Sequence, residues 1–154
     1  MEPTKLTLTW CDYFKLCDIL IGKLAGNKFT DIVAISRGGL IPAQYIAYKL
    51  DIPRVHNFGV SSYSKENVRL HDDKVVVYQK VTMHFNENHH VLVIDDIADT
   101  GKTIKKCLGA HWMFAAAANV KLSALHYKLD KSVIKPDYYA QIVDANTWIE
   151  YPYD

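Results

Sequence analysis

The chain has 154 residues, of which 49% are hydrophobic and 23% charged, a balance that suits one domain over residues 1–154 with its own core and leaves no linker or repeat. Eighteen Lys and Arg against seventeen Asp and Glu give a net charge of +1, so there is no global field to draw in nucleic acid. The longest low-polarity piece, residues 112–118, is too short to span a bilayer.

Residues 1–10 alternate polar and apolar and show no charged-then-apolar leader, so the expected location is the cytoplasm. Cys11, Cys17 and Cys107 are odd in number and lack metal-ligand spacing, which fits free thiols in a reducing compartment. Helical spacing over 12–24 puts Phe14, Cys17, Ile21 and Leu24 on one stripe. The run Ile32-Val33-Ala34-Ile35-Ser36 then reads as a buried strand, Arg37-Gly38-Gly39 as a turn, and 40–50 as a helix. Arg37 offers a rigid fork of donors and the two glycines free backbone amides, so this turn is a candidate grip for a pyrophosphate. A strand over 54–60 leads into a polar stretch, 64–90, with a further strand near 75–78. His89 and His90 are adjacent and enter a strand pointing to opposite sides, a poor chelating pair.

The segment Val91-Leu92-Val93-Ile94-Asp95-Asp96-Ile97-Ala98-Asp99-Thr100-Gly101-Lys102-Thr103 carries the strongest signal. Its apolar run predicts a strand buried on both faces of a parallel sheet, and 101–118 predicts the helix that follows. Free amides at the helix start, the hydroxyls of Thr100 and Thr103, and close approach at Gly101 suit a phosphate. Asp95 and Asp96 close the strand on opposite faces and are therefore expected to differ in role, one toward a ligand hydroxyl and the other toward a hydrated Mg²⁺. Asp99, in the turn, is placed for general acid/base work. A nucleotide-triphosphatase P-loop is excluded because Asp96 stands where that motif needs glycine.

A strand over 122–128 delivers Lys128 to its carboxyl end, and the sequence closes on Asn146-Thr147-Trp148-Ile149-Glu150-Tyr151-Pro152-Tyr153-Asp154. Alternating strands and helices favour a mainly parallel sheet with helices on both faces, and ligands of such sheets sit outside the carboxyl strand ends, where Arg37, Asp95, Asp96, Asp99 and Lys128 all fall. Read alone, Trp148 fits an ordinary core tryptophan and Lys128 a solvated lysine.

Two acidic residues ending a strand before Asp99-Thr100-Gly101-Lys102-Thr103 resemble the phosphoribosyl pyrophosphate signature of type I phosphoribosyltransferases. Ser36-Arg37-Gly38-Gly39 resembles the same family's pyrophosphate loop. Trp148-Ile149, with Pro152 and Tyr153 after it, narrows the likeness to bacterial xanthine-guanine (6-oxopurine) phosphoribosyltransferases. The resemblance implies an α/β type I fold, a twisted mainly parallel sheet flanked by helices with a small base-binding hood near 128–154 and a mobile loop near 62–80 that includes Ser62-Tyr63. It implies phosphoribosyl pyrophosphate at Ser36, Arg37, Gly38, Gly39, Asp95, Asp96, Asp99, Thr100, Gly101, Lys102 and Thr103, with Asp99 catalytic and Mg²⁺ at Asp96. It further implies a purine base held by Lys128, by stacking on Trp148 and by the Ile149 carbonyl, in a homodimer or homotetramer. The alternatives are a non-catalytic regulator of the same fold, although no helix-turn-helix precedes the domain, and transfer to adenine or a pyrimidine, which leaves Lys128 and Trp148 unexplained.

Overall fold

Two apolar strands, each buried on both faces, organise the chain. The structure, a computed structural model, describes residues 3–61, 76–109 and 114–154. In chain order the elements are β1 (Thr4–Thr7), α1 (Trp10–Leu24), β2 (Asp31–Ser36), α2 (Leu40–Lys49), β3 (Arg54–Ser61), β4 (Val76–Gln79), β5 (His90–Ala98), α3 (Lys102–Leu108), β6 (Asn119–Tyr127), β7 (Tyr138–Ile142) and β8 (Thr147–Glu150). Among the described residues the main sheet has the order β4-β3-β2-β5-β6-β7, parallel throughout except for β4, which runs antiparallel at the edge.

In β2 and β5, Ile32, Ala34, Leu92 and Ile94 pack into one core with α1 and α2, while Val33, Ile35, Val91 and Val93 pack into a second with Ile104 and Cys107 of α3. Helices therefore cover both faces, as a parallel sheet with no solvated side requires. The expected α/β architecture, a mainly parallel sheet flanked by helices, is present. A second, two-stranded parallel sheet pairs β1 with β8, so it is built from both ends of the described chain.

Several boundaries differ from the sequence expectation. Helix α1 begins at Trp10 because Thr9 and Asp12 form a capping box, Thr9 Oγ1 accepting the Asp12 amide at 3.2 Å and Asp12 Oδ2 accepting the Thr9 amide at 3.2 Å. The helix expected over 101–118 is corrected to α3, Lys102–Leu108, with Gly109 at its end. Residues 110–113 lie outside the described ones, and beyond them the Ala118 amide is tied to the His89 carbonyl at 3.0 Å, which draws the chain back to the sheet. Of the loop expected near 62–80, residues 62–75, including Ser62 and Tyr63, lie outside the described residues, whereas 76–79 form strand β4. His89 turns inward and pairs with Asn86, its Nδ1 lying 2.8 Å from the Asn86 side-chain oxygen. All three cysteines are free, and burial pushes the Cys17 and Cys107 thiols up to about 12.

At the amino end of the sheet, opposite the acidic loop, Asp31 is fully buried. Burial alone would raise its pKa, but Arg54 (Nε to Oδ1, 2.7 Å), the Thr30 hydroxyl (2.6 Å) and His56 (2.8 Å) overcome that and hold it down at about 2. This cluster fixes the β2–β3 register at its start. Asp31→Asn is expected to cost about 2 kcal/mol, a charge-assisted bond discounted for the half-exposed Arg54. Because the folded value lies below the unfolded one of about 3.9, the deficit against the native protein is full at neutral pH. It shrinks as pH falls through about 2. Thermal denaturation of both proteins across pH measures it, and a deficit that is independent of pH would contradict the ion-pair account.

Candidate active site

Strand β5 ends in a pair of carboxylates that the fold buries. Asp95 shares strand parity with Val91 and Val93 and lies on the α3 side, close enough to Cys107 for its charge to raise that thiol further. Asp96 shares parity with Leu92 and Ile94 and lies on the α1 side, where Tyr153 donates its hydroxyl to Oδ2 at 2.6 Å and Tyr151 donates to the Asp96 carbonyl at 3.1 Å. The two faces are those expected. Asp95 Oδ1 curls back to accept the Asp96 amide at 3.0 Å. Burial first, and then the neighbouring Asp96 charge, push the Asp95 carboxyl well above the usual range. Burial also pushes Asp96 up, against the Tyr153 hydroxyl, which favours its ionised form.

Residues 37–39 reach the same point from β2. A side chain on Gly38 would run into the Asp96 carboxylate, and one on Gly39 would run into the backbone carbonyls of Ile94 and Ile35, so both positions must be glycine for the loop to lie this close to the end of β5. Arg37, after a cis Ser36–Arg37 peptide, is exposed at the rim. Two expectations for this loop are corrected. The Gly39 amide is not free, because it donates to Ile35 O at 2.8 Å and closes the turn between β2 and α2. Ser36 is buried with its hydroxyl 3.1 Å from that of Tyr78, so it braces β2 against β4 instead of facing the loop.

Past β5, Gly101 adopts φ +74, a left-handed conformation that suits glycine, and a side chain there would meet Ser132 and Ile134. The Val133 amide donates to Thr100 O at 2.9 Å, so the loop after β6 is fastened to the acidic loop. That fastening brings Asp99 Oδ1 within 3.1 Å of Lys128 Nζ and 2.7 Å of Lys131 Nζ. Lys128 is 5% exposed and therefore aimed into the site, not solvated. Thr100, Lys102 and Thr103 are partly buried along the same loop.

A cleft of about 190 Å³ opens beside these lysines, lined by Lys128, Lys131, Asn146, Thr147 and Trp148 among others. Trp148 is 54% exposed and lies on the cleft, which sets aside its reading as a core tryptophan. Ile149, the next residue of β8, faces inward and is 8% exposed. Arg37, Gly38, Asp96, Asp99 and Lys128 thus gather at the carboxyl ends of β2, β5 and β6 with the Trp148 cleft adjoining. Lys131, Tyr151 and Tyr153 were missed by sequence reasoning. Lys131 follows Lys128 by one turn, Lys131 N donating to Lys128 O at 3.1 Å, a spacing that could have flagged it; nothing local marks the tyrosines.

Residues 14–153 match the phosphoribosyl transferase domain family. The chain belongs to that family. The xanthine-guanine phosphoribosyltransferase of Idiomarina loihiensis is 30% identical over 132 residues, covering 86% of this chain and 75% of that protein. Among solved structures, a purine phosphoribosyltransferase from Pyrococcus horikoshii superposes with TM-score 0.80 at 26% identity over 97% of this chain and 94% of that one. The xanthine-guanine-hypoxanthine phosphoribosyltransferase of Helicobacter pylori shares the fold, with TM-score 0.78 at 16% identity over 97% and 92% of the two chains. The expected type I phosphoribosyltransferase fold and the expected purine phosphoribosyltransferase enzyme are both borne out.

In this phosphoribosyltransferase the raised pKa of Asp95 is a stability cost carried at the site. The folded protein holds that proton to higher pH than the unfolded chain, so the cost is absent below about pH 3.9 and grows as pH rises toward the folded value. Asp95→Asn removes it and is expected to raise the melting temperature more at pH 7 than at pH 4 while lowering turnover. Melting curves at pH 4 and pH 7 decide this, since an equal gain at both would rule out a titrating cause.

Proposed function

We propose that this enzyme transfers the 5-phosphoribosyl group of phosphoribosyl pyrophosphate to a 6-oxopurine (xanthine, guanine or hypoxanthine), releasing the nucleoside monophosphate and pyrophosphate. The observation that carries the reading is the buried Lys128 beside Asp99 and the exposed Trp148, which give one cleft a donor for the 6-oxo group, a proton acceptor and a stacking face. Lys128 donates to a 6-oxo group and would oppose a 6-amino group, which discriminates against adenine. Trp148 stacks on the base, and the Ile149 carbonyl accepts from a 2-amino group.

Bond breaking at the ribose passes through an oxocarbenium-like state, by analogy with glycoside hydrolysis, while negative charge grows on the departing pyrophosphate. Arg37 and the Gly38 amide meet that charge, and the loop Asp99, Thr100, Gly101, Lys102 and Thr103 anchors the 5′-phosphate. Asp99 takes the proton from the imidazole edge of the purine. It is paired with Lys128 and Lys131 in the free enzyme, and an incoming 6-oxo group gives Lys128 a second acceptor. Asp95 and Asp96 hold the ribose hydroxyls. Two buried carboxylates in mutual repulsion form a donor set that suits a hard cation, so Mg²⁺ fits beside Asp96. When bound, Mg²⁺ neutralises pyrophosphate charge.

A homodimer or homotetramer acting in the cytoplasm completes the proposal. Exposed Tyr48 and Val55 flank a surface cavity of about 690 Å³ that suits a self-association face, and among the described residues no helix is long and apolar enough to cross a membrane.

Pyrophosphate release with Mg²⁺ and phosphoribosyl pyrophosphate is expected with xanthine, guanine or hypoxanthine and not with adenine or orotate. Binding of the phosphoribosyl donor without turnover on any base would instead make the protein a regulator. Asp99→Asn is expected to lower kcat by about 10²–10⁴ with donor affinity retained. In Lys128→Met the purine KM rises and preference over adenine narrows; an unchanged base preference would remove Lys128 from the base site.

A further inference from the structure

The segment after β8 returns across the sheet to the acidic loop, and nothing in the reaction scheme uses it. Tyr153 Oη donates to Asp96 Oδ2 at 2.6 Å, and its ring is held on several sides: stacked on Tyr151 with centroids 5.3 Å apart, edge-on to Tyr13 at 5.7 Å, and tilted against Trp10 at 6.4 Å. Tyr151 makes the second bond, its hydroxyl donating to the Asp96 carbonyl at 3.1 Å. His126, buried on β6, lies with Nδ1 2.9 Å from that same hydroxyl. Tyr151 spends its one proton on Asp96, so His126 must donate, giving a chain from His126 Nδ1–H through Tyr151 to the Asp96 carbonyl. The turn itself is closed by Asp154, whose Oδ2 accepts the Tyr151 amide at 2.9 Å.

Asp96 is thus held at both ends of its residue by a segment that begins two positions beyond Ile149. The Tyr153 hydroxyl fixes the rotation of this carboxylate and keeps it packed against Gly38, where it faces the 37–39 loop. A ring clamped by three other aromatic rings delivers that bond from a fixed point, at little further cost in side-chain freedom.

We infer that Tyr153 is a positioning residue for the phosphoribosyl donor: it acts through Asp96, setting the carboxylate for the ribose hydroxyls and the associated cation, and does not touch the purine. The inference rests on the placement of Asp96 in the donor site. It makes the segment after the purine strand a strut for the other substrate.

The test is a double-mutant cycle on the full chain with Tyr153→Phe, Asp96→Asn and the pair together. Each protein is measured for KM of donor and purine and for kcat, and for equilibrium binding of phosphoribosyl pyrophosphate with Mg²⁺, without base, by calorimetry. Tyr153→Phe is expected to weaken donor KM and calorimetric Kd about tenfold, the size of one hydrogen bond to a charged group, with purine KM within about twofold of the native value. In the Asp96→Asn background the same change should add nothing. Unchanged donor affinity, a purine KM that rises instead, or an effect of equal size in both backgrounds would overturn the inference. If Asp96→Asn itself leaves donor affinity unchanged, the placement of Asp96 fails and this role with it; if Asp96→Asn is impaired and Tyr153→Phe is not, the role of Tyr153 alone fails. Tyr153→Trp, which refills the ring contacts without the hydroxyl, is judged by the same outcomes should the phenylalanine variant not fold.

Discussion

The burial of two adjacent carboxylates at the end of β5 is the constraint around which the rest of the site is arranged. Taking such charges from water is expensive, and placing them side by side adds repulsion, so the surroundings must answer both. Tyr151 and Tyr153 supply hydroxyls, Asp95 borrows the Asp96 amide, and Gly38 and Gly39 bring a second loop against the pair with no side chain between. What remains unanswered is electrostatic. The carboxyls hold protons more tightly than free aspartates, so a cation or a ribose hydroxyl that binds there relieves an existing cost.

Two parallel strands buried on both faces make this possible. Because β2 and β5 are neighbours in register, their ends lie at one level and their loops meet. β6, next to β5, delivers Lys128 at the same level, and the Val133-to-Thr100 bond closes the two loops on each other. The 37–39 turn, the acidic loop and Lys128 therefore adjoin at one end of the sheet. The ion-pair cluster of Asp31 at the far end does the opposite kind of work, locking the strand starts where no substrate needs to enter.

The hood is the less regular part. β8 alternates, with Trp148 outward to the cleft and Ile149 inward to the core, so a single short strand both lines the cleft and ties it to α1 and α2. β1 pairs with it, and Lys5 lies 2.6 Å from Glu150. The tyrosines that follow carry this strand on to Asp96, so β8 and the acidic loop are mechanically continuous.

The sequence by itself determined the sheet, the order of the motifs and the core of the site. Apolar runs that end in glycine or aspartate can only be strands delivering loops to one edge, and Arg37, Asp95, Asp96, Asp99 and Lys128 follow from that rule and from the family's motif order. The family resemblance singled out Trp148, and only the structure showed its ring exposed beside the Lys128 cleft. The sequence did not determine where hydrogen bonds would be spent. Ser36 and the Gly39 amide were assigned to a ligand, yet the first braces β4 and the second closes the turn before α2, since a buried polar group takes the nearest partner the fold offers. Likewise the overlong helix after Gly101 followed from local propensity, whereas its end and the recapture of Ala118 by His89 depend on the neighbouring strand. Lys131, Tyr151 and Tyr153 became functional neighbours of Asp99 and Asp96 only through contacts between residues 32 to 57 positions apart. No periodicity in a sequence encodes such a distance, and tertiary packing alone decides it.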